Sequence, residues 1–126
     1  MTNAEQELLT LEALAGAPLT FDYFLAPGID FQTTVTGENR DNATVAIIFT
    51  NTPMWMGTLT PGLPSEKFPT LSLGDLTITE GQVSLTPPTS STEGFVLLTC
   101  TIKRRGQEPV PFSGIISKWP LSSASV

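Results

Sequence analysis

Histidine is absent from this chain, cysteine occurs once, at Cys100, and only six residues are lysine or arginine. Each shortage removes a class of chemistry. Without histidine there is no Ser-His-Asp or Cys-His catalytic arrangement and no histidine-based zinc site. A single cysteine forms no disulfide within the chain and no cysteine-rich metal centre. Cys100 falls inside an apolar run, where a free thiol behaves as a small buried hydrophobe. As a nucleophile it would also lack a base. Glycine-rich nucleotide loops are missing too. The sequence therefore points to a non-enzymatic protein without cofactor or metal.

Charge is also scarce. Asp, Glu, Lys and Arg make up 14% of the 126 residues, against about 25% in an ordinary soluble domain. Twelve acids against six bases give a net charge of -6 and an isoelectric point near 4.3. Such a chain gains nothing from counterion release, which excludes nucleic acid as a natural partner and disfavours anionic membrane. No apolar run approaches the roughly 18 residues of a membrane span. The N-terminus, with Glu5 and Glu7, has neither the basic start nor the apolar stretch of a signal peptide. That favours a cytoplasmic location. Asn42-Ala43-Thr44 fits a glycosylation sequon, but the pattern has meaning only in a secretory context.

What is present is apolar residues, threonine and turn formers. Hydrophobic residues are 40% of the chain and mean hydropathy is slightly positive, which argues for a packed core rather than disorder. The length suits one domain, 1–126, that buries about two thirds of its unfolded surface. Asn3 as a cap, the following acids, and Leu8, Leu11 and Ala15 at helical spacing predict a short helix over about residues 4–15. Gly16 and Pro18 then stop it.

Beyond Pro18 the pattern is strand and turn. Ile29, Phe31, Thr33 and Val35 alternate with Asp30, Gln32, Thr34 and Thr36, the period of a half-buried strand. Residues 44–50, 95–103 and 110–119 read as further strands, with shorter ones at 19–25 and 55–60. Residues 71–79 and 83–86 flank Glu80-Gly81, which predicts a tight hairpin there. The segment from Arg104 to Pro109 predicts another. Residues 121–126 read as a flexible tail. With eleven prolines and ten glycines as punctuation, the expected fold is mainly β: an antiparallel sandwich or barrel of about seven or eight strands plus one short N-terminal helix.

Two strands are apolar on both faces. Val45, Ile47 and Phe49 have Ala46 and Ile48 behind them; Val96, Leu98 and Cys100 have Phe95 and Leu97 behind them. A sheet with one wet side needs no second apolar face, so the helix or another subunit is expected to cover these positions. Three local features are candidates for contact. Met54, Trp55 and Met56 form an adaptable apolar segment suited to a partner or a sugar ring, unless Trp55 merely plugs the core. Lys103, Arg104 and Arg105 hold half of all the bases. They can pair with acid on another copy, such as Glu5, Glu7 and Glu12, or simply solvate a hairpin tip. Glu38, Asn39, Asp41 and Asn42 offer oxygen ligands but match no calcium loop, and read as a solvated turn. Trp119 reads as core.

The leading expectation is a non-enzymatic all-β interaction or structural protein that self-associates as a homo-oligomer or binds another protein. The alternatives are a carbohydrate-binding module using Trp55 and the polar loops, and a β-barrel holding a small apolar ligand. Strand faces filled with Leu, Ile and Phe argue against the last.

Overall fold

The computed structural model describes residues 18–121. The helix expected at 4–15 and the tail beyond Leu121 lie outside the described residues. Within them the protein is mainly β, with nine strands and no helix; no helix there is long and apolar enough to cross a membrane. The strands form two antiparallel sheets. Sheet one is a meander of β1 (Leu19–Ala26), β2 (Ile29–Thr36), β3 (Asn42–Phe49) and β4 (Thr52–Leu59). Sheet two orders β5 (Ser65–Phe68), β7 (Leu76–Thr86), β8 (Gly94–Arg104) and β9 (Val110–Trp119), with the short β6 (Leu71–Leu73) also pairing with β7.

The alternation in β2 sets the arrangement of sheet one. Ile29, Phe31, Thr33 and Val35 are buried, and the residues between them are half-buried on the outer side. Tight turns hold the register. Between β1 and β2, Pro27 presets φ and Gly28 supplies the left-handed step, at φ 83°. Between β3 and β4, Thr50 and Asn51 both adopt positive φ, 47° and 66°. That is the geometry of the two-residue hairpin turn whose twist matches paired strands. A β-branched residue is poorly suited to it. The Thr50 amide donates to the Gly28 carbonyl at 2.7 Å, tying the two turns together.

Sheet two departs from the sequence expectation at Glu80-Gly81. No hairpin forms there; β7 runs through it as one strand, and Glu80 with Gly81 form a bulge between the Thr79–Thr101 and Gln82–Thr99 pairs. A turn-like dipeptide serves equally well as a bulge, and β8 offers an eleven-residue partner strand along which β7 can pair. Glu80 takes φ 55°. Gly81 is required for space, because the Phe68 ring from β5 occupies the place of a side chain. The hairpin moves to Gly74-Asp75, between β6 and β7. The β8–β9 hairpin forms where expected, with the Gln107 amide donating to the Arg104 carbonyl at 3.0 Å.

The inner faces of both sheets contribute to one apolar core that includes Phe31, Ile47, Phe49, Ile78, Leu98 and Trp119. The sheets also meet along their edges. On one side Phe21 stacks on Trp119 at 6.1 Å, and Tyr23 meets Phe112 at 6.2 Å. On the other, Trp55 and Phe68 lie 5.5 Å apart. Buried polar bonds pin the layers together: Ser117 Oγ donates to Thr33 Oγ1 at 3.1 Å, and Trp119 Nε1 to the Arg40 carbonyl at 3.0 Å. Arg40 is itself buried and donates to the Pro120 carbonyl at 3.3 Å. At this level the expected antiparallel β architecture stands: two antiparallel sheets around a shared core.

Candidate functional site

Strand register assembles the outer face of sheet one from residues far apart in sequence. Asp22, Gln32, Ala46 and Met56 form one row across the four strands. Phe24, Asp30 and Ile48 form the next, towards the Thr50–Asn51 turn. On the other side, Thr20, Thr34, Thr44 and Thr58 make a row of hydroxyls, in which Thr44 and Thr58 are hydrogen-bonded at 3.1 Å. Phe24 is 67% exposed and Met56 65%. They stand on the two edge strands of this face, β1 and β4, with Ala46 and Ile48 on the strand β3 between them, and large apolar side chains left exposed on one face mark a contact surface.

The acids sit within this apolar setting. Strands β1 to β4 carry no lysine or arginine, and Asp22 and Asp30 are their only charged residues. Gln32 Nε2 donates to Asp22 Oδ1 at 3.3 Å. Asp30 Oδ1 is shielded from solvent without a hydrogen-bond partner. Burial pushes the Asp30 carboxyl up to about 6, helped by a hydrogen bond and like charge shared with Asp22, while a backbone hydrogen bond at Tyr23 pulls the other way. A surface hollow of about 350 Å³ lies beside it, bordered by Phe24, Asp30, Gln32, Ile48 and Asn51.

The residues singled out from sequence are not gathered into one place. Met56 lies on this outer face, and Met54, 38% exposed, is the extra residue of a bulge in β4. Trp55 between them turns inward, half-buried, with its ring against Phe68 and in the space a Gly57 side chain would need. Glu66 Oε2 is buried at the same spot without a partner. Lys103, Arg104 and Arg105 belong to sheet two, at the β8–β9 tip. There Lys103 Nζ donates to the Gln107 carbonyl at 3.2 Å, and the Arg105 amide to the Asp75 carbonyl at 2.8 Å.

Cys100 is buried in β8, and burial pushes its thiol up to about 11, the opposite of what a reactive thiolate requires. Glu38, Asn39 and Asp41 lie on the turn between β2 and β3. Sequence reading missed Asp22, Phe24, Asp30 and Ile48 as a group. Alternation placed Asp30 on a polar face, but its neighbours across the sheet follow only from register. Compared with family models, curated proteins and solved structures, the chain matches none.

Proposed function

We propose that this protein is a non-enzymatic interaction or structural protein, built as a sandwich-like β scaffold, that associates with further copies of itself. The observation that carries this reading is the outer face of sheet one, where Phe24 and Met56 stand exposed around Ile48 and Ala46. Apolar side chains of this size left in water favour burial at about 25 cal/mol per Å². The raised Cys100 thiol and the lack of histidine support a role without nucleophilic chemistry.

The carbohydrate reading relied on Trp55 as a stacking platform, and that ring faces the Phe68 side of the molecule instead. The apolar-ligand reading needs interior space, whereas the inner faces carry Phe31, Phe49, Ile47 and Leu98 in mutual contact. Self-association is therefore the reading with an exposed surface behind it. Sedimentation velocity from low to high micromolar concentration tests it. A weight-average mass that rises with concentration is expected, and a monomer throughout would overturn the proposal.

A further inference from the structure

Charge is divided between the two sheets. Sheet one has two acids and no base in its strands. The strands of sheet two carry four bases, Lys67, Lys103, Arg104 and Lys118, against Glu66 and Glu80. Its densest base is the β8–β9 tip, where Arg105 extends the run beyond Lys103 and Arg104. Asp75 and Glu108 lie at the same end, so the tip as a whole keeps an excess of one positive charge on a chain of net charge -6. Beside the tip, Val110 is 59% exposed and Leu73 is also exposed. The tip thus offers base with apolar side chains, and the outer face of sheet one offers acid with apolar side chains.

We infer that two copies join head to tail, the Lys103–Arg105 hairpin tip of one seated on the Asp22, Phe24 and Met56 face of sheet one in the next. This rests on the self-association proposed above and names its surfaces. A face-to-face dimer of sheet one would bring two surfaces together that both carry Asp22 and Asp30, with no base in their strands to neutralise them. The tip supplies the opposite charge, and a contact between unlike surfaces repeats into an open chain or closes into a ring.

The size of the contact is small. Three rows across four strands cover roughly 400 Å², from strand spacing and the two-residue repeat. A standard interface takes about 800 Å² per partner, so association belongs at high micromolar concentration and weakens with salt. It also weakens as pH falls through about 6, since Asp30 then gains its proton. Among the described residues, the charged group beside Asp30 is Asp22 on β1; β3 offers Ile48, and the adjoining turn Thr50 and Asn51, all uncharged.

Two variants at exposed positions provide the test. One breaks the face, Asp22→Asn with Phe24→Ser; the other breaks the tip, Lys103→Gln with Arg105→Gln, so that neither altered surface attracts the other. Each retains the surface the other has lost. By sedimentation velocity each alone should associate at least tenfold more weakly than wild type. An equimolar mixture should form a complex that stops at two copies, because one intact tip meets one intact face. A mixture that stays monomeric, or a variant that associates like wild type, overturns the head-to-tail contact. If wild type is itself monomeric, self-association falls with it; if wild type associates while the variants behave otherwise than stated, only the assignment of surfaces falls.

Discussion

The outer faces of the two sheets differ although their strands follow one rule. Both alternate buried apolar residues with outward ones, and both are rich in threonine. Sheet one presents a threonine row on one side and, on the other, Asp22 and Asp30 among Phe24, Ile48 and Met56. Sheet two presents rows of uncharged polar side chains, such as Gln82, Thr99 and Ser113, beside a corner where Leu97 pairs with Ile115. It also holds all of the lysine and arginine in the strands. The lesson is that alternation decides which residues face water, while cross-strand register decides which of them meet. A pair of acids becomes one feature only because β1 and β2 align Asp22 with Gln32 and Phe24 with Asp30.

The two sheets depend on each other most strongly at Trp119. Trp119 is fully buried, stacks on Phe21 and donates to the Arg40 carbonyl. Trp119→Ala should cost about 3–5 kcal/mol and lower both sheets' stability together in urea denaturation. Loss of order in sheet two alone, seen by amide hydrogen exchange, would show the sheets to be independent.

Gly81 tests sheet two by itself. A methyl group there meets the Phe68 ring, so Gly81→Ala should cost about 1–3 kcal/mol through overpacking. Pairing the change with Phe68→Leu should recover part of that loss; no recovery would place the cost in the bulge backbone rather than in the ring.

Asp30 sharpens the account of sheet one and carries the smallest effect. Its folded carboxyl titrates near 6 against an ordinary value of 3.8. The folded state thus holds the proton more tightly than the unfolded chain. This group's stabilising contribution is complete below about pH 4 and is lost as pH rises through about 6. Asp30→Asn should remove that dependence, raising the urea midpoint relative to wild type at pH 7 more than at pH 4. Equal shifts at both pH values would contradict a raised carboxyl, and carbon-detected NMR titration of the side chain would show its midpoint directly.

Much of the architecture was legible from residue order. The β2 pattern appears as a strict alternation of burial, and the β8–β9 hairpin forms over Arg104–Pro109. Trp119 proved to be core, as its place at the end of an apolar strand suggested. The strand β5 was not legible, because Ser65–Phe68 is short and half polar. Its pairing with β7 is a non-local event. Glu80-Gly81 was misread because a glycine after a polar residue suits a turn and a bulge alike. The choice depended on β8 as a partner and on Phe68 filling the space above Gly81. Arg40 gave no local signal of burial, since it is bonded to Trp119 and Pro120, about eighty residues away in the chain.

The amino-acid sequence by itself determined a β fold, the inward residues of its regular strands, and the absence of histidine and disulfide chemistry. These are local matters of period, propensity and composition. The tertiary structure alone decided which way Trp55 faces, that Arg40 is buried, and that Asp22 and Asp30 lie together beside Phe24. It also decided that base collects on one sheet and acid stands alone on the other. The physical reason is that neighbours across a sheet are set by hydrogen-bonded register, and packing between sheets joins residues whose separation in the chain carries no periodic signal.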